Sequence, residues 1–366
     1  MIRNIIIYLG HPAQYHFIKH TIIQLKRDGF NVVVLIKTKD ILETLLKEDD
    51  VEFINIQDKV RGNTKKDILL ASFKRTWAVY KIARKHKADL LIGTDASIAQ
   101  AAKLLGKPAI TTLEDDVEII INLAKLTYPF TTDILVPTPC RVGKWEKKKI
   151  GYEGYMKLAY LHPNYFTPQK NIIEKYNISG KYCLIRLAKL TAHHDKGIKG
   201  LNIKLVTDII GTAEKYGYRV YISAEGDIDE ALKPYQLRIK HTDIHHVMAF
   251  ASLLISDSQS MSVEAAMLGL PSLRFSDFSG RISVLEELEK KYNLTFGIKT
   301  SEPDELLKKM TEILSLQDCQ KVYQERREKM LSEKIDVTAF LTWFIEKYPE
   351  SRKTMKDNPD YQFKFR

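Results

Sequence analysis

Short apolar runs rich in β-branched residues alternate with longer amphipathic segments along most of the chain, and this alternation constrains the fold more than any other feature. In the first half the apolar runs are NIIIYLG (4–10), NVVVLI (31–36), DLLIG (89–93), PAITTL (108–113) and DILVP (133–137). The segments that follow them carry apolar residues every three to four positions, which is typical of helices that bury one face. Because strands joined through helices lie parallel in one sheet, the pattern predicts consecutive βαβ units.

The alternation is interrupted once, at LHPNYFTPQKN (161–171), where two prolines and the loss of periodicity indicate a linker. It restarts with YCLIRL, RVYISAEG, LLIS and PSLRF. A chain of 366 residues also exceeds the size at which one hydrophobic core usually keeps growing. We therefore predict an α/β protein with two doubly wound, Rossmann-like domains over 1–163 and 172–334. Residues 335–366 are expected to form an amphipathic helix and a tail rich in basic and aromatic residues.

The cysteines and the hydropathy of the chain exclude several protein classes. The three cysteines are widely spaced and form no CxxC pair, which argues against a disulfide framework or a structural zinc site and favours a reducing compartment. No segment approaches the roughly twenty apolar residues of a membrane-spanning helix, and the first residues lack the apolar core of a signal peptide. We expect a cytoplasmic protein, either soluble or peripheral on the inner face of a membrane.

The net charge of +11 is concentrated in the first half of the chain. Residues 1–166 hold 26 Lys and Arg against 18 Asp and Glu, and the stretches 58–75 and 141–149 are strongly basic. A basic half of this kind can attract a phosphorylated substrate, an anionic membrane surface or nucleic acid. The alternative is that the lysines only form the solvated faces of helices. Nucleic acid is disfavoured as a partner because no zinc-finger spacing, aromatic RNA-binding signature or basic recognition helix accompanies the charge.

A polar turn, SDSQSMSVEAA (256–266), follows the strand LLIS and opens what reads as a helix. Ligands of parallel α/β sheets bind beyond the carboxyl ends of the strands, where helix N-termini present free N–H groups. Ser258, Gln259 and Ser260 can donate further hydrogen bonds to an anion there. Glu264 follows one turn later, where it can accept hydrogen bonds from a vicinal diol such as a ribose. The turn predicts a nucleotide site, with a simple helix cap by Ser258 or Ser260 as the alternative.

The polar turn, together with the preceding HHVMAFASLLI, resembles the nucleotide-binding segment of GT-B enzymes. This superfamily holds UDP-N-acetylglucosamine 2-epimerase and many nucleotide-sugar glycosyltransferases. The motifs YLGHPAQYHF and SQSMSVEAA are most similar to a prokaryotic domain-of-unknown-function family of that fold. The resemblance implies two Rossmann-like domains that face each other across a cleft, and a C-terminal helix over 336–348 that crosses back to the first domain.

The resemblance also implies the nucleotide-sugar-binding residues of the second domain. The glutamate would bind the ribose hydroxyls, the polar turn would bind the diphosphate, and the loop 241–245 would frame the base. The superfamily holds the diphosphate with helix N-termini and side chains, so neither a metal nor an organic cofactor is expected. The implied binding residues are Arg186, His193, His245, Ser258, Gln259, Ser260 and Glu264.

The catalytic candidates lie in the first domain, because in GT-B enzymes the reacting carbon faces the loops of that domain. His11 follows the first strand in GHP, Asp95 follows DLLIG, and Glu114 opens a Glu-Asp-Asp run after AITTL. Imidazoles and carboxylates at such positions can take the proton of an attacking hydroxyl. Structural alternatives are that Asp95 caps the following helix, that the acidic run is a solvated capping cluster, and that His193 and His194 are surface residues.

Comparison with the epimerases separates two enzymatic hypotheses. Epimerases carry Arg-Pro, Gly-Asp-Thr, Val-Glu-Ala-Gly and Thr-x-His-Arg-Arg-Glu motifs, whereas this chain has GHP, GTDAS, TLEDD and TAHHDK. Asp95, Glu114 and His193 match these motifs, but the arginines that would hold a phosphate during elimination and re-addition of UDP are missing. His11 replaces one of them, and Arg186 is the candidate substitute cation.

We therefore predict a glycosyltransferase that uses a nucleotide-diphosphate sugar, in cell-surface polysaccharide or glycolipid biosynthesis, with a nucleotide-sugar epimerase as the alternative. Its expected partners are the donor, a lipid-linked or saccharide acceptor, and an anionic membrane surface. A dinucleotide oxidoreductase and a P-loop kinase are disfavoured, because GHPAQY stands where GxGxxG is expected and GxxxxGK[ST] is absent from the sequence. The sugar, the base, the acceptor, the stereochemical outcome and the oligomeric state stay open.

Overall fold

The structure, a computed structural model, describes residues 2–38, 41–57, 65–187, 200–224 and 226–366, without the side chains of 65–69. Contacts between residues divide the chain into two compact units. Unit 1 consists of Met1–Tyr160 with Lys334–Arg366, and unit 2 consists of Leu161–Glu333. The three cysteines are buried thiols, two in unit 2 and one in unit 1. None of the helices in the described ranges combines the length and the apolar character needed to cross a bilayer.

Unit 1 contains a seven-stranded sheet in which all neighbouring strands are parallel. Its strands are β1 (Asn4–Leu9), β2 (Asn31–Lys37), β3 (Ile54–Gln57), β4 (Leu90–Gly93), β5 (Ala109–Thr112), β6 (Asp133–Pro137) and β7 (Lys149–Tyr152). The spatial order β3-β2-β1-β4-β5-β6-β7 is doubly wound. Central strands covered on both faces read as continuous apolar runs, which is why the sequence predicts them clearly. Gly93 is required in β4, because a Cβ atom there would lie 2.8 Å from the Tyr8 carbonyl oxygen.

The helices of unit 1 begin and end at residues with a local reason to do so. They are α1 (Pro12–Arg27), α2 (Leu42–Glu48), α3 (Lys65–Lys85), α4 (Ala96–Leu105), α5 (Ile121–Thr127) and α6 (Leu158–Leu161), whose last residue is the first of unit 2. Pro12 occupies the first turn of α1, where its missing N–H costs no hydrogen bond. Gly106 ends α4 in the left-handed conformation, as the sequence predicts.

Unit 2 contains a five-stranded sheet, again with parallel neighbours. Its strands are β8 (Tyr182–Leu187), β9 (Arg219–Ala224), β10 (Leu253–Ser256), β11 (Ser272–Phe275) and β12 (Thr295–Ile298), in the order β12-β11-β10-β8-β9. Its helices are α7 (Lys170–Lys175), α8 (Ile203–Lys215), α9 (Ile244–Phe250), α10 (Gln259–Leu268), α11 (Ser283–Lys290), α12 (Pro303–Leu314) and α13 (Cys319–Glu333). This order is also doubly wound, so the predicted α/β class is confirmed.

The last residues of the chain return to unit 1 and form α14 (Val337–Glu346), α15 (Glu350–Asp357) and a 3-10 helix over Pro359–Phe365. The helix α14 packs against α1, and Thr338 Oγ1 donates to the Ala159 carbonyl oxygen at 2.7 Å. The aromatic residues of the tail pack inward, since Tyr361 and Phe365 contact the Trp343 ring with centroid distances of 4.9 and 5.3 Å. The C-terminal segment therefore completes the core of unit 1.

Candidate functional site

Each sheet has one point where its strand order reverses, between β1 and β4 in unit 1 and between β8 and β10 in unit 2. Open α/β sheets bind ligands beside such points, beyond the carboxyl ends of the strands. His11 and Asp95 follow the two strands of the first reversal. The polar turn begins with Ser256, the last residue of β10, at the second reversal. The predicted His193 follows β8 in the sequence and lies outside the described residues.

The polar turn leads directly into the N-terminus of α10. Ser258 is the N-cap, and its Oγ accepts from the Met261 N–H at 3.4 Å. The Ser256 Oγ in turn accepts from the Ser258 N–H at 2.9 Å. The capping alternative is therefore present in the structure. It leaves the Ser258 O–H as a donor, because a hydroxyl that accepts one hydrogen bond still carries its proton.

Gln259 begins α10 with an amide oxygen that has no hydrogen-bond partner among the described residues, although that oxygen is buried. An unpartnered buried polar atom costs about 1–3 kcal/mol, so native proteins usually satisfy it with a protein group, water or ligand. In addition, the N–H groups in the first turn of a helix are donors without acceptors inside the helix. The start of α10 thus offers polar groups that an added ligand can satisfy.

Glu264 and His245 are brought together across α10 and α9. The His245 Nε2 lies 3.4 Å from the Glu264 Oε2, and both side chains are nearly buried. Phe166 packs its ring against His245 and, more closely, against His246 with a centroid distance of 4.8 Å. The residues to which sequence reasoning assigned ribose and base contacts are therefore neighbours.

His246, beside this pair, is a residue that sequence reasoning did not single out. Its Nδ1 accepts from the Gln169 N–H at 3.1 Å, and burial lowers its pKa. Phe166 and Gln169 belong to the stretch that the sequence suggests is a linker, and both contact His246 in unit 2. His246 therefore links residues 166–169 to α9.

Arg186 lies on β8, opposite Ser256 of β10 in the parallel register. Its Nη1 donates to the Ser223 Oγ on β9 at 2.7 Å. This predicted cation thus stands on the strand next to the polar turn.

Arg274 is a further cation in unit 2 that sequence reasoning missed. It lies on β11 opposite Ser256, is fully buried, and makes no hydrogen bond from its guanidinium within the described part of the chain. The nearest carboxylate is Glu289, 3.9 Å away, and burial lowers the pKa of the guanidinium. A Cβ atom on Gly297 would lie 2.4 Å from the Arg274 Nη2, so glycine there makes the room. The sequence signal was one charged residue inside the apolar run PSLRF.

In unit 1, His11 is exposed and is the N-cap of α1. Its Nδ1 accepts from the Ala13 N–H at 3.2 Å. When one nitrogen of a neutral imidazole accepts a hydrogen bond, the other nitrogen carries the proton. The neutral His11 ring therefore presents an N–H at Nε2, which makes it a hydrogen-bond donor at that atom.

Asp95 caps α4 and also faces a buried arginine. Its Oδ1 accepts from the Ser97 N–H at 2.9 Å, and its Oδ2 lies 3.8 Å from the Arg75 Nη2. Arg75 also donates to the Gln57 Oε1 at 3.0 Å. Burial and, next, Asp95 raise the pKa of Tyr8 on the neighbouring strand. The sequence counted Arg75 within the basic stretch 58–75, but its side chain is buried in unit 1.

The three acidic residues after β5 have different surroundings. Glu114 accepts from the Met156 N–H at 2.6 Å with one oxygen and pairs with the Lys157 Nζ at 3.0 Å with the other. Asp116 is fully buried and accepts from the Arg141 N–H at 2.7 Å. Asp115 makes no hydrogen bond or ion pair to any described residue, and burial followed by the charge of Glu114 raises its pKa.

Lysines of the basic stretch 141–149 donate hydrogen bonds to backbone carbonyl oxygens of unit 1. The Lys148 Nζ donates to three backbone carbonyl oxygens, at Tyr128, Pro129 and Thr131, and burial lowers its pKa. The Lys149 Nζ donates to the Thr138 carbonyl oxygen at 3.0 Å. Several of the charges of this stretch therefore have a structural role. Across the described ranges, no three His, Cys, Asp or Glu side chains are arranged to hold a metal ion.

The sequence profile of one family, described as "Protein of unknown function (DUF354)", matches residues 3–328. A search of curated proteins gave no significant match. UDP-GlcNAc 2-epimerase from Neisseria meningitidis, bound to UDP-GlcNAc, is 14% identical with a TM-score of 0.70, over 94% of this chain and 100% of that one. The glycotransferase of kitacinnamycin is 11% identical with a TM-score of 0.60, over 94% and 99%. MurG from Acinetobacter baumannii is 15% identical with a TM-score of 0.59, over 94% and 99%. These similarities confirm the predicted GT-B fold.

Proposed function

This chain belongs to the DUF354 family, and we propose that it is a glycosyltransferase that uses a nucleotide-diphosphate sugar as its donor. The observation that carries the proposal is the polar turn at the strand-order reversal of unit 2, with Glu264 about one turn into α10 and paired with His245 of α9. A reversal point, a helix N-terminus and a nearby carboxylate are the elements that bind a dinucleotide or nucleotide in α/β folds. The similar structures of a UDP-GlcNAc 2-epimerase and a glycotransferase support the same substrate class.

The donor diphosphate is assigned to the start of α10. The first-turn N–H groups of this helix and the Ser258, Gln259 and Ser260 side chains supply donors for its oxygens. Arg186, on the strand beside Ser256, supplies positive charge. Glu264 accepts from the ribose hydroxyls, and His245 and the predicted His193 complete the nucleotide-sugar contacts. The proposed site includes neither a metal ion nor an organic cofactor, and unchanged turnover in EDTA is the expected result.

Acid–base chemistry is assigned to unit 1. Asp115 takes the proton of the acceptor hydroxyl while the hydroxyl oxygen attacks the anomeric carbon of the donor sugar. The bond between that carbon and the diphosphate oxygen breaks, and the nucleotide diphosphate leaves. A raised pKa suits a carboxylate that accepts a proton during the reaction. His11 donates a hydrogen bond from Nε2. Glu114 pairs with Lys157, and Asp95 pairs with Arg75. These two pairs hold the segments that follow β5 and β4 in place.

One observation favours a nucleotide-sugar epimerase as the second candidate. The epimerase motifs rely on arginines that this sequence lacks at the matching positions, yet Arg75 stands beside Asp95 at the reversal point of unit 1. A cation there could hold the phosphate of a released UDP during re-addition. The ion pair with Asp95 and the hydrogen bond to Gln57 already occupy part of the guanidinium, so the transferase remains the preferred proposal.

The first test is a thermal-shift screen of the protein against UDP, GDP, CDP, dTDP and their sugars, followed by NMR of each hit without acceptor. A ligand that binds only the native state raises its stability by RT ln(1 + [L]/Kd). Stabilisation with an unchanged sugar is expected for the transferase. Conversion to a second sugar would instead establish the epimerase, and no stabilisation by any nucleotide would overturn both candidates.

The Glu264→Ala variant tests whether Glu264 binds the ribose of the nucleotide. Loss of a charged hydrogen bond to the ribose should weaken nucleotide binding by about 1.5–3 kcal/mol. Glu305→Ala, which removes an exposed glutamate from the first turn of α12, is the matched control and should bind as the wild type does. Calorimetric titration of the nucleotide found in the screen measures the difference. Equal affinity for the two folded variants would remove Glu264 from the binding site.

A further inference from the structure

Three helices of unit 1, α3, α4 and α5, lie side by side as one outer layer. The Thr76 Oγ1 of α3 donates to the Gln100 Oε1 of α4 at 3.0 Å. The Gln100 Nε2 donates in turn to the Leu126 carbonyl oxygen of α5 at 3.1 Å. These side-chain bonds connect the three helices into a continuous surface, here called the α3–α5 layer.

The α3–α5 layer exposes an unusual number of large apolar side chains. Along α3, Leu70, Phe73 and Trp77 are 58%, 70% and 47% exposed, and their spacing of three and four residues sets them on one face. Soluble surfaces rarely carry contiguous apolar patches unless they bind something. Seven of the twelve exposed large hydrophobic residues in the described ranges lie on this layer or directly after it: Leu70, Phe73, Trp77, Leu104, Ile121, Leu126 and Phe130.

The same layer is basic and carries few acidic residues: Asp67 lies in the first turn of α3, and Asp89, which follows α3, pairs with the flanking Lys107 at 3.7 Å. The sequence contains no Asp or Glu at 68–88, 96–113 or 119–132, the ranges that span nearly all of these three helices. Lys81 lies over the exposed Trp77 ring, with its Nζ 5.6 Å from the ring centroid. The exposed cations of the layer and its flanks are Lys74, Lys81, Arg84, Lys85, Lys87, Lys103, Lys107 and Lys125.

We propose that the α3–α5 layer docks on the surface of an anionic lipid bilayer. Aromatic and aliphatic side chains enter the interface between headgroups and acyl chains, while the long lysine side chains reach the lipid phosphates. Protein–protein interfaces are depleted in lysine at their centres, whereas here lysines are interleaved with the apolar residues. The charge and the apolar stripe therefore fit a lipid surface better than a protein partner. The inference goes beyond the proposed function, because it requires neither nucleotide nor sugar.

Vesicle co-sedimentation of the full chain tests the proposal. The wild type should bind vesicles of phosphatidylcholine mixed with phosphatidylglycerol, bind pure phosphatidylcholine weakly, and lose affinity as salt increases. Two double variants, Phe73→Ser with Trp77→Ser and Lys74→Glu with Lys81→Glu, should each weaken anionic-vesicle binding about ten-fold or more. The control, Tyr216→Ser with Leu316→Ser, removes two exposed apolar residues from unit 2 and should bind as the wild type does.

Circular dichroism and the nucleotide thermal shift of each variant separate loss of docking from loss of folding or of the proposed function. Wild-type binding that is absent, equal on neutral vesicles, or unchanged in both double variants would overturn the proposal. Light scattering that shows a dimer converted to a monomer by the Phe73 and Trp77 changes would also overturn it, since the layer would then bind a second copy. Failure of nucleotide binding alone would leave the docking proposal intact.

Discussion

Glu114, Asp115 and Asp116 follow the same strand, but their surroundings differ. Glu114 and Asp116 accept hydrogen bonds from backbone N–H groups, while Asp115 faces burial and the charge of Glu114 without a partner among the described residues. Hydrogen bonds and opposite charges favour a carboxylate, whereas burial and like charges disfavour it. Three adjacent acidic residues therefore have different environments, and Asp115 is the one to which we assign the role of base.

Replacing Lys157 by Met should destabilise the fold. The Lys157–Glu114 pair is nearly buried, so its loss leaves an uncompensated carboxylate at an expected cost of about 3–5 kcal/mol. The measurement is the free energy of unfolding in urea. Lys147→Met, which removes an exposed lysine nearby, is the control and should change it little. Equal stability of the two variants would mean that Glu114 is not held by this pair.

Replacing Asp115 by Asn should reduce turnover and increase stability. Because the pKa of Asp115 is raised in the folded protein, ionisation disfavours folding, and this cost is present above the folded pKa and disappears below the unfolded value. The variant should therefore have the higher melting temperature at neutral pH, with the difference declining as pH falls toward about 4. Turnover with the identified donor should fall about 10²-fold or more, while nucleotide affinity stays constant. Unchanged turnover would exclude Asp115 as the base.

At the scale of elements, the helix caps illustrate how one residue serves two purposes. His11 caps α1, Asp95 caps α4 and Ser258 caps α10, and all three follow strands at the order reversals. A cap residue has extended backbone geometry and stands where the helix N–H groups point outward. The position that best starts a helix is therefore also the position at which parallel α/β sheets generally bind ligands. This is why the capping and functional interpretations of the sequence do not exclude each other.

Two substitutions separate these purposes at His11. Asparagine is a strong N-cap, so His11→Asn should keep the stability of α1 while removing the imidazole. His11→Ala should lose the cap as well, at about 0.5–2 kcal/mol in unfolding free energy. Both variants should lose turnover if the Nε2–H acts on substrate. Full turnover in His11→Asn would make the histidine a structural cap only.

The strands that sequence reasoning missed are all at the edges of the sheets. β3, β7 and β12 have the sequences INIQ, KIGY and TFGI, and none of them is an unbroken apolar run. An edge strand has one neighbour and partly exposed faces, so its residues need not be apolar throughout. Hydrophobic pattern alone therefore predicts the centre of each sheet better than its borders.

At the scale of the whole molecule, the C-terminal segment is tied to the central sheet of unit 1. Asp133, the first residue of β6, is fully buried and accepts from the Tyr348 hydroxyl at 2.8 Å and from the Arg352 Nε at 2.7 Å. Lys334 adds an ion pair to Glu153 at 3.0 Å. These contacts join residues about two hundred positions apart in the sequence.

Arg352→Met should loosen this connection. Asp133 would keep the Tyr348 hydrogen bond but lose its charged partner, at about 1–3 kcal/mol in unfolding free energy, with the lower end expected because Arg352 is partly exposed. Lys353→Met, a change at the neighbouring exposed position, is the control. Faster amide exchange in α15 than in the control would locate the effect. Identical unfolding curves would show that the segment is held by its apolar contacts alone.

By itself the sequence determined the α/β class, the doubly wound halves and the polar turn, because these depend on hydrophobic period and on local residue types that a chain expresses over short distances. Tertiary structure alone decided which acidic residue after β5 has no partner among the described residues, that Arg75 and Arg274 are buried, and that His245 meets Glu264. It also decided that apolar residues of three separate helices share one surface. Those facts depend on contacts between residues distant in sequence, and the desolvation and pairing that set a pKa or expose a patch exist only once those contacts form.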